Sequence, residues 1–313
     1  MSIVEFPGLW GLIFTVNRVA FEVFGIPIYW YGIIIAAGFL LAVLLGMRDS
    51  TKFGLEPDNV IDLVLYAAPV AIVCARLYYV IFSWEDFRYD LLQIFNTRRG
   101  GLAIYGGVIG ALAVAYIFAR KKKIGVLKLL DFGSPYLILA QGIGRWGNFI
   151  NQEAYGTNTT LPWGMTSDTI KKELFENMDK LQAMGINVDP NIPVHPTFLY
   201  ESLWNVATFF FLIWFRKRKK LNGEVFFLYM ILYGVARFFI EGLRTDSLML
   251  GSLRISQLLA AVFAIALTVV FFVRRKKRDE AVEEVVTGSS RYGEILKQLQ
   301  EEENVSNTGE NKE

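Results

Sequence analysis

Seven long hydrophobic stretches run along the chain, and short polar segments rich in lysine and arginine separate several of them. Each stretch is about the 20 residues that a helix needs to cross a bilayer. The pattern therefore predicts an all-α polytopic membrane protein with seven transmembrane helices. The predicted spans are residues 26–47, 60–82, 101–119, 129–150, 197–215, 224–241 and 253–273.

Three basic clusters orient these spans. They occupy residues 120–123, 216–220 and 274–278, directly after the third, fifth and seventh spans. Lysine and arginine in short loops favour the cytoplasmic side. We therefore expect the N-terminus outside and the C-terminus in the cytoplasm. We interpret the clusters themselves as solvated topology signals rather than as binding sites.

The segments outside the spans suggest three regions. Residues 1–25 are an outer-face lead-in, either an amphipathic interfacial stretch or a loosely packed one. Residues 26–273 form the transmembrane catalytic domain. Residues 274–313 are a basic and then acidic cytoplasmic tail, with ten acidic residues from position 279 onward, which we expect to be disordered apart from one short helix at 292–302.

The outer loop 151–196 contains a candidate arm. Within it, apolar residues follow a helical spacing between Asp168, a plausible cap, and Gly185, a plausible stop. This pattern predicts an amphipathic helix at 168–185, lying over the outer face.

Composition supports a membrane protein and excludes several classes of site. The chain has 313 residues, is 53% hydrophobic, and carries a net charge of +2, which does not suggest nucleic-acid binding. Cys74 is the single cysteine and His195 the single histidine, so an internal disulfide and a multi-histidine metal site are excluded. No cofactor is implied.

The polar and ionisable residues within or near the predicted spans, which are energetically costly in a bilayer, lie at one depth of the membrane. Ionisable groups inside spans are functional candidates by default. Under the predicted topology they lie near the outer leaflet, whereas an ion pathway needs polar groups through the whole thickness. The pattern favours a lipid head-group site open to the outer face. Its candidate residues are Tyr31, Arg76, Tyr105, Arg145, Glu153, His195, Glu201, Arg237, Glu241 and Arg244.

The arginines suggest which head group binds. The guanidinium fork matches phosphate in bidentate geometry. Arg237 and Glu241, spaced i,i+4, could instead simply neutralise each other. Arg145 stands in the glycine-rich run 142–156, where helix packing with a cap is the alternative reading. A dinucleotide fingerprint is rejected there, since no strand precedes the glycines.

Six motifs together resemble the prolipoprotein diacylglyceryl transferase family. The run 144–153 (Gly-Arg-Trp-Gly-Asn-Phe-Ile-Asn-Gln-Glu) is the most specific of them. The others, in chain order, are 29–32 (Tyr-Trp-Tyr-Gly), 75–77 (Ala-Arg-Leu), 100–107, 195–201 and 233–241. The resemblance covers roughly residues 26–250, and the acidic tail lies outside it.

This resemblance implies an activity. The family transfers the diacylglyceryl group of phosphatidylglycerol to the lipobox cysteine of a preprolipoprotein, which yields a thioether and glycerol 1-phosphate. The partners would be that lipid and lipoprotein signal peptides. The location would be the bacterial inner membrane, with the active site toward the outer leaflet.

The resemblance also implies roles for individual residues. Arg145 and Arg237 would hold the phosphate, and Glu241 would orient Arg237. The head-group pocket would be shaped by Asn148, Asn151, Glu153 and Gly156. Tyr31 and Tyr233 would position the glycerol. Substrate contacts are also expected from three further residues, namely Arg76, Glu201 and Arg244.

One departure from the family pattern concerns the general base. Many family members have histidine where this chain has Tyr105, and a tyrosine of pKa near 10 is a poor base at pH 7. His195 could serve instead, although a structural histidine at the start of the fifth span is the alternative. Glu153 and the field of the arginines are the remaining options.

Two other function classes fit seven spans with buried arginines. An anion transporter is the first, but it would need polar residues beyond one face. A non-catalytic lipid-binding scaffold is the second, but it would not need so many costly charges. Flux into sealed vesicles would identify the transporter, and partner binding without a product would identify the scaffold.

Overall fold

Long helices make up most of the protein. The computed structural model describes residues 2–97, 100–245, 249–250 and 253–286, with residues 295 and 298. The chain divides into two compact units, residues 1–264 and 265–313. The long helices are α1 (Trp30–Ser50), α2 (Pro57–Phe82), α4 (Ile104–Lys121), α5 (Val126–Asn151), α8 (Thr197–Phe215), α9 (Glu224–Glu241) and α10 (Ile255–Val286).

Five helical segments in the described residues are long and apolar enough to cross a membrane. They are Trp30–Phe53, Pro57–Phe82, Ile104–Lys121, Thr197–Phe215 and Ile255–Val282. The expectation of a mostly helical, polytopic membrane protein is confirmed. The other two long helices, α5 and α9, have 26 and 18 residues and carry more polar side chains.

The N-terminal residues form strands, so the all-α expectation is wrong here. Strand β1 (Ser2–Phe6) lies between β2 (Leu12–Val16) and β5 (Thr166–Ser167) in an antiparallel sheet. Along β1, Val4 and Phe6 point inward while their neighbours are less buried, which is the two-residue period of a strand. The N-terminal segment is amphipathic, as expected, but its buried residues alternate with the two-residue period of a strand.

A second hairpin shortens the first predicted span. Strands β3 (Val19–Val23) and β4 (Ile26–Tyr29) pair through Phe24 and Gly25, which both have positive φ, at 50° and 78°. This is the two-residue turn geometry that suits the twist of a hairpin. The predicted helix at 26 therefore begins at Trp30. A short hairpin of β6 (Met249–Leu250) and β7 (Leu253–Arg254) precedes α10.

The predicted arm at 168–185 is two helices, α6 (Asp168–Glu176) and α7 (Met178–Ala183). The cap is Ser167 rather than Asp168, since its hydroxyl accepts from the Ile170 N–H at 3.1 Å. Buried residues of these helices share one apolar cluster with β1 and β2. The lead-in and the loop 151–196 therefore fold together, and we call β1, β2, β5, α6 and α7 the head. Among the described residues, the remaining short α-helix is α3 (Trp84–Phe87), and two 3-10 helices cover Thr51–Phe53 and Leu91–Phe95.

Within the bundle, α5 packs against α1, α8 and α9, while α2 packs against α4. Close approach of α4 to α2 depends on a glycine. A Cβ at Gly110 would lie 2.8 Å from the Cys74 Cβ. Small residues serve this purpose in membrane helices, where backbones must come close. Cys74 thus occupies a packing position.

Part of the second basic cluster is engaged in ion pairs, so the interpretation of 216–220 as purely solvated is wrong. Arg216 donates to Asp49 at 2.5 Å and to the Tyr136 hydroxyl at 3.0 Å. Asp131, fully buried on α5, accepts from Lys219 at 2.8 Å. The same carboxylate accepts from the backbone N–H groups of residues 223 and 226, at 2.8 and 3.0 Å. Asp131 thereby caps the N-terminus of α9 from a neighbouring helix.

Helix α10 extends past the last predicted span. It continues to Val286, so residues 274–286 are helical and the expected disorder of the tail is wrong for them. The predicted helix at 292–302 lies outside the described residues, apart from positions 295 and 298.

We predict that Asp131→Ala destabilises the protein by about 3 kcal/mol, because it leaves a half-buried Lys219 unpaired and the first turn of α9 uncapped. Thermal unfolding in detergent measures the loss. Asp62→Ala is the matched control, since Asp62 forms an exposed pair with Lys122 and such pairs contribute about 0.5 kcal/mol. Equal unfolding temperatures for the two variants would contradict the capping role.

Candidate active site

Three helices bring two arginines and two carboxylates together. Arg145 on α5 donates from Nη2 to Oε1 of Glu201 on α8. Nη1 of Arg237 on α9 lies 3.9 Å from Oε2 of the same carboxylate. Nη2 of Arg237 also pairs with Oε2 of Glu241 at 2.5 Å. Glu201 is therefore shared by both arginines, and we call these four residues the arginine cluster.

Burial within the arginine cluster is uneven. The side chains of Glu201 and Glu241 are 2% and 5% exposed, whereas those of Arg145 and Arg237 are 22% and 20% exposed. The two carboxylates are therefore enclosed, whereas both arginine side chains keep part of their surface accessible. Arg145 uses two of its five N–H donors on the described residues, Glu201 and Asn148. The arrangement is suited to binding an anion from the accessible side.

Amide side chains continue the arginine cluster to the end of α5. The Asn148 Oδ1 accepts from Arg145 at 3.4 Å, and its Nδ2 donates to Glu153 at 2.8 Å. Asn151 donates to the same carboxylate oxygen at 3.3 Å. Gln152, in the left-handed region at φ 54°, ends the helix and turns the chain so that Glu153 folds back. Three predicted pocket residues thus form one hydrogen-bonded chain with Arg145.

Two predicted tyrosines adjoin this arrangement. The Tyr31 ring lies against Gly147 so closely that a Cβ there would be 2.7 Å from the ring. This contact explains the third glycine of the 142–156 run. Tyr233 precedes Arg237 by one turn of α9, so the two side chains lie on the same face of that helix.

Gly156, His195 and Arg244 meet beside one another through their backbones. Gly156 N–H donates to the His195 carbonyl at 2.9 Å and forms a bridge with Arg244 on its other side. A Cβ at Gly156 would lie 2.8 Å from the His195 Cβ. Glycine is needed at this position because the segments of His195 and Arg244 pack against it and leave no room for a side chain.

His195 belongs to an aromatic hydrogen-bond chain. Trp163 donates to the Tyr200 hydroxyl at 2.8 Å, and that hydroxyl lies 3.1 Å from His195 Nδ1. Because the indole N–H only donates, the phenol O–H is available to Nδ1, which favours the tautomer protonated at Nε2. Burial lowers the pKa of His195 below 6.5. These contacts agree with the structural alternative for this residue.

Arg76 is fully engaged elsewhere, and its expected substrate contact is not supported. All five of its N–H donors bond to backbone carbonyls, those of Gln93, Ile94, Asn96, Gly100 and Gly101, at 2.7–3.1 Å. No donor is left for a phosphate. Arg76 instead anchors the loop between α2 and α4.

Tyr105 lies at the start of α4 with 60% of its surface exposed. Its ring is 6.3 Å from that of Tyr78. Among the described residues it forms no hydrogen bond with the arginine cluster.

A polar layer lies one turn deeper than the arginine cluster, and sequence reasoning missed it. Gln141 precedes Arg145 by four residues, and Asn205 follows Glu201 by four. Gln141 donates to the Tyr229 hydroxyl at 3.0 Å. Neither amide atom of Asn205, which is fully buried, has a partner among the described residues. The available signal was the i,i+4 spacing of amides from charged residues within a span.

Arg18 is a second residue that the sequence did not suggest. From the turn between β2 and β3 it donates to the backbone carbonyl of Asn151 at 2.5 Å. The N-terminal strands are thereby tied to the end of α5, next to the hydrogen-bonded amides. In the described part of the chain, no group of three or more His, Cys, Asp or Glu residues could hold a metal ion.

Comparison with known proteins identifies the family. The model of the prolipoprotein diacylglyceryl transferase family matches residues 18–273, which is more than half of the chain. The chain belongs to this family. The matched region includes every residue of the arginine cluster and the amides at the end of α5. The resemblance of the six motifs is thus confirmed.

Several members of the prolipoprotein diacylglyceryl transferase family align with most of this chain. A phosphatidylglycerol–prolipoprotein diacylglyceryl transferase of Clostridioides difficile is 44% identical over 86% of this chain and 99% of its own length. One from Finegoldia magna is 45% identical over 84% of this chain and 97% of its own. One from Bacillus cytotoxicus is 44% identical over 87% of this chain and 97% of its own length.

We predict a stability difference that His195, the single histidine, produces between pH 7.5 and pH 5. Since burial lowers its folded pKa below 6.5, the neutral ring stabilises the fold above pH 6.5, and this contribution is lost as the pH falls through the lowered pKa. Thermal unfolding of wild type and His195→Gln measures it. Wild type should lose more stability on acidification than the variant, and parallel curves would contradict the assignment.

Proposed function

We propose that this chain transfers the diacylglyceryl group of phosphatidylglycerol to the thiol of the lipobox cysteine of a preprolipoprotein, the first step of lipoprotein maturation. The names of the relatives support the reaction and both substrates. The observation that carries the proposal is that one carboxylate, Glu201, forms ion pairs with both Arg145 and Arg237. These ion pairs fix two cations side by side, where they can bind one anionic ligand.

The reaction forms one bond and breaks another. The cysteine sulfur attacks the glycerol carbon that bears the phosphodiester, so a carbon–sulfur bond forms and the carbon–oxygen bond to phosphate breaks. The oxygen leaves with the electron pair as glycerol 1-phosphate, and the thiol proton passes to a base or to water. Fixed positive charge at the leaving oxygens is therefore the main requirement.

The two arginines meet that requirement. Arg145 and Arg237 bind the phosphate and stabilise the charge that develops as it leaves. Glu201 and Glu241 are positioning residues, because they are buried, pair with the guanidinium groups and restrict their rotation. Such preorganisation removes the need for reorientation when the charge moves.

The surrounding residues shape the pocket. Asn148, Asn151 and Glu153 bind the head-group glycerol next to the phosphate, since their hydrogen-bonded chain begins at Arg145. Tyr31 and Tyr233 position the lipid glycerol. The backbone junction of Gly156, His195 and Arg244 forms an adjoining wall.

Formation of the thiolate depends on the arginine field. A free cysteine thiol has a pKa of about 8.5, and neighbouring cations lower it. His195 is disfavoured as the base because its Nδ1 already contacts Tyr200. The Glu153 carboxylate already accepts hydrogen bonds from the Asn148 and Asn151 amides. Tyr105, with its exposed ring, is assigned to contact the incoming cysteine.

The membrane arrangement is part of the same proposal. The five apolar segments, together with α5 and α9, give seven spans, with the N-terminus outside and the C-terminus in the cytoplasm. Residues 26–273 then form the catalytic domain of a bacterial inner-membrane protein, with its active site toward the outer leaflet. Supporting this, each arginine or carboxylate of the cluster lies in the half of its helix that faces outward under this topology.

The decisive experiment supplies detergent-purified protein with phosphatidylglycerol and a lipobox peptide. Arg145→Ala should lower the rate of diacylglyceryl addition, measured by peptide mass and glycerol-phosphate release, by about 10²–10³-fold. Arg88→Ala, which removes an exposed arginine paired with Glu85, is the matched control and should keep wild-type activity. A folded wild type that forms no adduct would refute the reaction, and full activity of Arg145→Ala would refute the site.

A second prediction concerns Glu201 as a positioning residue. Glu201→Gln preserves the shape but removes the charge that both arginines share, so their guanidinium groups repel and shift. We expect kcat to fall about 10²-fold, the usual effect of a displacement near 1 Å. Glu176→Gln, an exposed carboxylate of the head, should change nothing measurable. A change confined to KM would contradict the positioning role.

A further inference from the structure

A basic cavity lies at the end of the bundle opposite the arginine cluster. Its volume is about 660 Å³, within the usual range of ligand sites. Five of its lining residues are cations and none is acidic. The lining comprises Lys52, Phe53, Gly54, Lys128, Arg216, Lys217, Lys219 and Asn222.

The cavity is distant from the candidate active site. Lys128 and Arg145 are 17 residues apart on α5, which corresponds to about 25 Å along the helix axis. No lining residue belongs to the arginine cluster or to the amides near it. The chemistry proposed above therefore leaves this site without a role.

The cavity is lined by more positive charges than there are carboxylates paired with them. Asp49 pairs with both Lys52 and Arg216, at 2.7 and 2.5 Å, and Asp131 pairs with Lys219 at 2.8 Å. Five lining cations against these two carboxylates leave an excess of three positive charges. Lys128 and Lys217 form no ion pair with any described residue and supply most of the unbalanced charge.

The walls of the cavity are fixed in place. The Arg216 side chain is 10% exposed and is held by Asp49 and by the Tyr136 hydroxyl. Phe53 forms the apolar wall, with the Arg216 guanidinium 5.3 Å and the Lys219 ammonium 5.8 Å from its ring centre. Segments from α5, from the turn that follows α1 and from the α8–α9 connection thus converge on one concave site.

We propose that this cavity binds a phosphate group, either that of an anionic phospholipid head group in the facing leaflet or that of a soluble phosphate ester. The lysines supply charge, and Arg216 keeps N–H groups beyond the two that bond to Asp49 and Tyr136. The position at the end of a membrane-spanning bundle places the site at the level of lipid phosphates. The site is separate from the proposed active site and does not depend on the proposed reaction.

Native mass spectrometry of the detergent-purified full chain, titrated with short-chain phosphatidylglycerol, tests the proposal. Wild type should retain one more of these lipids than Lys128→Ala/Lys217→Ala, in which the affinity of this one site falls about 30-fold. The matched control is Arg120→Ala/Lys121→Ala, which removes two exposed charges from the same bundle end without touching the cavity, and it should match wild type.

Further measurements make the result decisive. Thermal unfolding should show that both double variants are folded, and the transferase assay should stay within about twofold of wild type for Lys128→Ala/Lys217→Ala. Equal lipid loss in the two double variants, or loss in neither, would overturn the proposal, as would equal retention of phosphatidylcholine.

A competition arm separates the two sources of phosphate. Displacement of the extra lipid by millimolar glycerol 3-phosphate would support the phosphate site with a soluble ligand. Retention of the lipid under the same conditions would support the head group as the ligand.

Discussion

One buried carboxylate, Glu201, holds the two arginines on which the proposed chemistry depends. Arg145 comes from α5 and Arg237 from α9, and Glu201 on α8 contacts both. Helices in a bilayer gain little from burying apolar surface against each other, so polar contacts and close packing set their arrangement. The same contact therefore brings three helices together and aims two guanidinium groups. Stability of the bundle and geometry of the site have a common origin here.

The sequence predicted which of the candidate residues lie near one another better than it predicted the fold around them. The positions of Arg145, Glu201 and Arg237 along their predicted spans were enough to expect them at one level, because position along a transmembrane helix sets depth in the bilayer. Their pairing needed the rotation of each helix, which only tertiary packing determines. Asn205 was missed although its i,i+4 spacing from Glu201 was visible in the sequence.

Arg76 and the N-terminus show what residue spacing cannot reveal. An arginine within a span suggests an anionic ligand, yet the acceptors of Arg76 are carbonyls from a loop 17 to 25 residues away. Backbone acceptors leave no trace in the amino-acid sequence. Near the N-terminus, aromatic and β-branched residues are typical of strands as well as of interfacial segments, and pairing of β1 with β5 across more than 150 residues decided between them.

Asp131 has a consequence for how the protein is made. Its carboxylate, on α5, binds the basic connection between α8 and α9 and caps the first turn of α9. During synthesis α5 precedes this helical hairpin, so under the proposed topology the carboxylate is already at the membrane when the later pair emerges. A hairpin inserted upside down would place Lys219 on the far side of the bilayer from Asp131 and could not form this contact. Under the proposed topology, the Asp131 contacts would thus favour a correctly oriented α8–α9 pair over an inverted one, since only the former can dock onto the part of the bundle made earlier.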